Sequence, residues 1–245
     1  MTNFITSITN RNDNSRYFLH NRQSEPAPPQ KLTKNQRLGI QATTALGVIG
    51  SIALLAKLSK TKYSFNLSKI LSTPFKDTFL GKEEYKVGKV LTIGAGSCLG
   101  GLAGGMIFDK NKNNRQAKLR EALIQYTNIS VPIGTVALAS ESGALLSKKM
   151  QGKGGKLIEI LFPIIGLAGG ILAGNKFANK LNNMIFDKKE HRPVELLDMS
   201  PHLDDICMAS QYIVKDNILT KCASRFIPLT LLVAGNEIGR KQEKR

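Results

Sequence analysis

The sequence predicts an all-α polytopic membrane protein with about four glycine-rich transmembrane helices. Three observations carry this. Four runs of 19 to 22 residues hold at most one charge each. Small residues recur at every fourth position inside those runs. The basic residues lie between the runs rather than in one block. A helix crossing a hydrocarbon core of about 30 Å needs roughly 20 apolar residues, and buried helices of soluble proteins are usually shorter, with one polar face.

The spans follow in order. Leu38–Ala56 is uncharged and bounded by Arg37 and Lys57. Val90–Phe108 is uncharged and bounded by Lys89 and Asp109. Tyr126–Ser147 carries only Glu141 and stops at Lys148 and Lys149. Leu157–Asn175 carries only Glu159, near its start. A fifth run, Phe226–Asn236, has 11 uncharged residues. It is too short to span and predicts a re-entrant, interfacial or protein-packed helix.

Within the spans the small residues form faces. Gly39, Thr43, Gly47 and Ser51 line the first, and Gly96, Gly100 and Gly104 the second. Thr135, Ala139, Gly143 and Ser147 line the third, and Gly166, Gly170 and Gly174 the fourth. Lipid supplies little hydrophobic force between helices, so close backbone approach along small-xxx-small faces replaces it. These GxxxG faces, in the manner of a glycine zipper, predict helix packing and self-association. The chain also echoes itself. Gly101–Gly105 (GLAGG) recurs as Gly166–Gly170, and Met106–Lys110 (MIFDK) recurs as Met184–Lys188, at offsets of 65 and 78. The echo predicts two tandem helical hairpins, spans one–two and three–four.

Three regions follow: a polar tail over 1–37, a helical membrane domain over 38–190, and an amphipathic or re-entrant segment over 191–245. The tail is rich in Asn, Arg and Ser and contains the run Glu25–Pro29, as a disordered linker would. It lacks a basic start followed at once by an apolar run, so the first span is expected to act as an uncleaved anchor. Between spans one and two, Tyr63–Tyr85 mixes Phe65, Phe75 and Phe79 with Lys69, Lys76 and Lys82, which predicts a segment on the bilayer surface. Asp109–Gln125 is polar and reads as helical from Arg115. Pro201–Asn217 begins after the N-cap Ser200 and puts Leu203, Ile206, Cys207, Ser210 and Ile213 on one face, an amphipathic helix.

The formal charge is +17, from 35 Lys and Arg against 18 Asp and Glu. With mean hydropathy −0.13, the chain cannot be membrane from end to end. The excess calls for a polyanionic neighbour, and its placement between spans favours anionic headgroups over nucleic acid. Orientation stays undetermined: Lys and Arg near the spans number 13 on the N-terminal side and 12 on the other. The three cysteines, Cys98, Cys207 and Cys222, contain no C-x-x-C pair and indicate neither a disulfide framework nor a zinc knuckle.

Two motifs offer chemistry. Val90–Gly96 (VLTIGAG) has the look of a strand entering a dinucleotide-binding turn, but its spacing is G-x-G-x-x-x-G and the following helix would be glycine-riddled. Pro201–Asp205 (PHLDD) resembles the metal-binding run of the zinc-dependent N-acetylglucosaminyl deacetylase family. It departs at Leu203, where that family has proline, and at Ile206, where it has glutamate. The resemblance implies a metal at His202 and the aspartates, and Asp198, His202 and Asp205 stand at i, i+4 and i+7. The same residues read as a helix start with Asp204 and Asp205 favourable in its first turn. Both motifs are taken as chance matches, and no cofactor, metal or catalytic group is expected.

Glu141 is the one carboxylate well inside a span. Such a group is costly in lipid and is expected to face protein or water, as a proton or cation relay would. Pro132 and Pro163 interrupt the third and fourth spans. The reading is a multi-pass protein of a cell or inner membrane with a structural or scaffolding role, self-associating through its small faces, with the lipid bilayer and a homo-oligomer as partners. The alternative is a small transporter or channel using Glu141. Carbonate washing of membranes from expressing cells should leave the protein in the pellet. Recovery in the supernatant without detergent would remove the membrane assignment.

Overall fold

The computed structural model describes residues 31–58, 87–150, 152–186 and 218–243, with side chains from 154 in the fourth helix and from 228 in the fifth. Five helices follow in order: α1 (Lys34–Leu58), α2 (Val87–Phe108), α3 (Asn114–Met150), α4 (Gly152–Phe186) and α5 (Ile218–Arg240). The described residues contain no strand. Four helices, α1 to α4, are long and apolar enough to cross a membrane, and they fit a multi-pass membrane protein. Val90–Gly96 lies inside α2, so the strand that a dinucleotide turn requires is replaced by helix.

Local signals set the helix ends. Thr33 caps α1: its Oγ1 accepts from Gln36 N–H at 3.3 Å, and its own N–H donates to Gln36 Oε1 at 2.8 Å. This reciprocal T-x-x-Q capping box starts the helix at Lys34, inside the stretch assigned to the tail. Gln36 Nε2 also donates to the Phe108 carbonyl at 2.9 Å, which ties the start of α1 to the end of α2. The α2–α3 connection is built on Asx turns. Asp109 Oδ1 accepts from Asn111 N–H at 3.0 Å, and Asn111 Oδ1 accepts from Asn113 N–H at 3.1 Å. Helix α3 starts well before the apolar run at Tyr126, because the polar stretch ahead of it is helical too.

The helices pair as two antiparallel hairpins. In the first, Gly100 of α2 faces the Thr43 carbonyl and Gly47 of α1, Gly104 faces Thr43 and Ile40, and Gly96 faces Ser51 and the Gly47 carbonyl. In the second, Gly166 faces Thr135 and Ala139, Gly170 faces Thr135 and Pro132, and Gly174 faces Val131 and Pro132. The small faces therefore close each hairpin within one chain. These are the faces that the spacing marks for self-association, and here their backbones are covered.

The contact registers also correct the internal repeat. Thr43 and Thr135 have the same role: each hydroxyl donates to its own helix backbone, at 2.9 Å to Ile40 and to Pro132, and each contacts one glycine, Gly104 or Gly170. Gly104 thus corresponds to Gly170, an offset of 66 where the GLAGG match gives 65. One residue turns a helix by about 100°, so the matched pentapeptides present different faces. The second match lies further out still. Phe108 packs on Gly39, whereas the second MIF, Met184–Phe186, lies three turns beyond Gly174.

Helix α5 resolves the short fifth run. It lies parallel to α2, with Gly101 against the Gly235 backbone and Gly105 against Gly239. Leu231, Ala234 and Ile238 are buried with Val90, Ile93, Ile129 and Ile133 in the core. Of the three expected settings, a protein-packed helix is the one found. Helix α2 is therefore the centre of the bundle, with α1 on one glycine face, α5 on the next and α3 beyond. Helix α4 packs along α3 and exposes Leu157, Leu161, Ile165 and Leu172.

The hairpins are staggered along the bundle. Gly94 of α2 lies against Ile129 of α3, and Gly105 against the Lys118 side chain. The apolar part of α3 begins at Tyr126, about 11 residues or roughly 16 Å below the level where that of α2 ends. Polar residues of α3 are consequently packed beside the glycine-rich end of α2.

A Cβ on Gly100 or Gly101 would meet backbone, which cannot move aside. Gly100→Ala and Gly101→Ala should each lower stability in detergent by about 1–3 kcal/mol. A Cβ on Gly50 or Gly169 would meet nothing within 4 Å. Alanine there should be neutral or stabilise by up to about 1 kcal/mol through helix propensity. Thermal unfolding of the four variants checks this, and equal effects in all four would contradict the packing described.

Candidate functional site: a buried polar cluster

The stagger brings a set of polar side chains together where α2 ends, α3 begins and α5 ends. On α3 they are Asn114, Lys118, Glu121 and Gln125, spaced 4, 3 and 4 and so on one helix face. Asp109 comes from the α2–α3 connection, Glu237 from α5, and Lys241 from the residues just beyond it.

Lys118 is the centre. Its side chain is 0% exposed, and its ammonium lies 3.0 Å from Asp109 Oδ2. It donates to the carbonyls of Gly239 at 2.8 Å and Lys241 at 2.7 Å. Those carbonyls close the C-terminus of α5, where the helix has unpaired acceptors and a partial negative charge. An ammonium has three N–H groups, and here three acceptors meet it. Buried charge is tolerated only when paired and hydrogen-bonded in this way.

The remaining groups close on one another. Glu121 Oε2 lies 2.7 Å from Lys241 Nζ. Gln125 Nε2 donates to Glu121 Oε1 at 2.9 Å and to Glu237 Oε2 at 2.8 Å. Asn114 donates to Asp109 Oδ2 at 2.9 Å and accepts from Glu243 N–H at 3.1 Å. Arg120 Nη1 lies 3.8 Å from Glu243. Burial pushes the Asp109 carboxyl up, but the hydrogen bonds from Asn114, from Asn111 N–H and from Lys118 outweigh it and hold the pKa below the usual aspartate value. The arrangement locks the end of α5 onto α3.

The residues singled out from the sequence fall elsewhere. Gly96, Gly100, Gly104, Gly166, Gly170 and Gly174 all lie at helix–helix contacts. Glu141 is exposed on the outer side of α3. By the hairpin correspondence it takes the place of Ile49, which is 55% exposed. The burial that a relay requires is not found, and Glu141 does not line the apolar groove between α2 and α3. Asp198, His202 and Asp205 lie outside the described residues, as do Tyr63–Tyr85 and Pro201–Asn217. Among the described residues no group of three or more His, Cys, Asp and Glu could hold a metal ion. Sequence reasoning misses the cluster itself. The signal that could have found it is the polar stripe Asn114, Lys118, Glu121, Gln125 and Asn128, at alternating spacings of 4 and 3, in a stretch that reads only as polar and basic.

Comparison with known proteins finds no matching family model, no matching curated protein and no matching solved structure.

Breaking one half of the central pair leaves the other charge buried and unpaired. Lys118→Met should cost about 3–5 kcal/mol and free the end of α5 to exchange its amide hydrogens faster. The Asp109 contribution has a defined pH window. Its folded pKa lies below the unfolded value of about 3.9, so the stabilisation is complete above about pH 4 and is lost as pH falls through the folded pKa. Thermal scans from pH 7 to pH 2.5 should therefore show a steeper acid loss for the native protein than for Asp109→Asn. Parallel curves would exclude Asp109 as a source.

Proposed function

We propose that the chain is a structural or scaffolding protein of a cell or inner membrane, which associates with further copies and with anionic headgroups. The supporting observation is how its charges are divided. Among the described acids, Asp109, Glu121, Glu237 and Glu243 are engaged inside the cluster, and only Glu141 and Glu159 are exposed. Exposed cations remain just outside the apolar runs: Lys34, Arg37 and Lys57 on α1, Lys110, Lys112 and Arg115 around the α2–α3 connection, and Lys148 and Lys149 at the end of α3. Basic groups just outside a span attract anionic lipid by about 1 kcal/mol each near the surface.

Much of the surface between the ends is apolar, with Lys176 and Lys180 of α4 as exposed exceptions. Leu46, Leu99, Leu138, Leu145 and Leu172 are each more than 60% exposed, as lipid-facing residues are. With the small faces occupied inside each hairpin, association of copies falls to the outer surface. Gly134 on α3 and Gly169 on α4 lie there at similar depth with open space in front of them.

Two measurements test this reading. Native mass spectrometry from a mild detergent should give a homo-oligomer, and Gly134→Leu with Gly169→Leu should shift it to monomer without lowering thermal stability. In vesicles, replacing phosphatidylcholine by phosphatidylglycerol should raise thermal stability, and added salt should reduce the gain. A strict monomer at every concentration, indifferent to headgroup charge, would overturn the proposal.

A further inference from the structure

An apolar groove of about 500 Å³ opens between α2 and α3. Leu102 and Leu119 stand at the end nearer the α2–α3 connection, and Ala95 and Tyr126 at the far end. Leu99 is 66% exposed and Leu119 42%, so the groove opens on the outside of the bundle.

Helix α3 turns two different faces here. Asn114, Lys118, Glu121 and Gln125 point into the polar cluster. Leu119, Ala122, Leu123 and Tyr126 form the groove wall, about 120° away around the helix. The stagger of the hairpins accounts for an outward apolar face in an otherwise polar stretch. That face lies beside Ala95–Leu102, well inside the second span, where an outward side chain meets hydrocarbon rather than water.

The groove continues into positive charge. Arg115 lies on the groove face of α3, one turn or roughly 6 Å before Leu119, and is exposed. Its N–H donates to the Lys112 carbonyl at 3.2 Å, and Lys110 and Lys112 are exposed in the same connection. The acids nearby, Asp109 and Glu243, are engaged with Lys118 and Arg120. An apolar slot thus opens at one end onto a cationic mouth. Arg115 to Tyr126 is 11 residues of helix, or roughly 16 Å. That is close to half of a hydrocarbon core of about 30 Å, the depth of one leaflet.

We propose that this groove holds one anionic phospholipid, with an acyl chain against Leu99, Leu119 and Tyr126 and the phosphate on Arg115, flanked by Lys110 and Lys112. A guanidinium binds phosphate oxygens in pairs, and basic pockets between spans select anionic headgroups. The inference rests on the headgroup association proposed above and gives it one defined place.

The chain contains no tryptophan, so Tyr126→Trp in the full chain puts a single fluorophore in the groove. Leu138→Trp, on the exposed outer surface of α3, is the reference. Vesicles mix phosphatidylcholine and phosphatidylglycerol, with bromine on the acyl chains of one lipid at a time. Bromine quenches on contact, so quenching reports which lipid occupies each position. At Tyr126→Trp phosphatidylglycerol should be favoured at least about fivefold, the equivalent of one basic group at about 1 kcal/mol. At Leu138→Trp the two lipids should quench alike. Arg115→Gln with Lys110→Gln and Lys112→Gln, all at exposed positions, should abolish the preference while quenching at Tyr126→Trp persists. Leu99→Trp, on the other wall, repeats the measurement if Tyr126→Trp does not fold. The same lipid ratio at groove and reference would overturn the proposal, as would a preference that survives the triple substitution. No quenching in the groove would overturn it too and assign the groove to protein. If phosphatidylglycerol raises thermal stability but is not preferred in the groove, the general headgroup association stands and this site alone falls.

Discussion

Everything in this bundle depends on how closely other helices can approach α2. Gly96, Gly100 and Gly104 on one face admit the backbone of α1, and Gly101 and Gly105 on the adjoining face admit that of α5. In water so many glycines would weaken a helix by about 1 kcal/mol each relative to alanine. In a bilayer the compensation is dispersion between backbones that no side chain holds apart. The second hairpin uses the same device more sparingly, with α3 on one face of α4 and an apolar outer surface left on the other.

The position of α5 follows from that contact, and the polar cluster follows from α5. Parallel packing on α2 brings the open carbonyls at the end of α5 to the level of Gly105. The stagger of the hairpins brings Lys118 to the same level, where the ammonium meets Asp109 and those carbonyls. A lysine at this depth would be untenable alone. Here it serves as the cap that the end of α5 would otherwise lack. Glu121, Gln125, Glu237 and Lys241 extend the same lock, which leaves the exposed charge of the bundle ends largely cationic.

The fold class is legible in the sequence because it rests on run length and charge placement, which are local. Leu38–Ala56 or Val90–Phe108 can be read without knowing any neighbour, since hydrocarbon thickness alone sets the length. The small faces are legible for the same reason: a spacing of four is a property of one helix. The start of α1 shows the limit. The capping box Thr33–Gln36 is present in the sequence, but the apolar run draws the boundary at Leu38. Asn114, Lys118, Glu121 and Gln125 escape notice because a polar stripe looks solvated until something packs on it.

Sequence by itself determined that the chain is helical, that four helices can cross a membrane, and which residues of each helix allow close contact. Those properties follow from hydrocarbon thickness and helix period. Only the tertiary structure decided which glycine face meets which partner, because a face carries no address. It turned the short run Phe226–Asn236 into a buried helix, since burial belongs to α1, α2 and α3 as much as to α5. It moved Glu141 from a candidate relay to an exposed position, because which way a residue on a helix points is fixed by what packs against that helix. It also placed a carboxylate and two open carbonyls within 3.0 Å of one ammonium, across the 132 residues from Asp109 to Lys241. That convergence depends on the register between helices, and no local pattern encodes it.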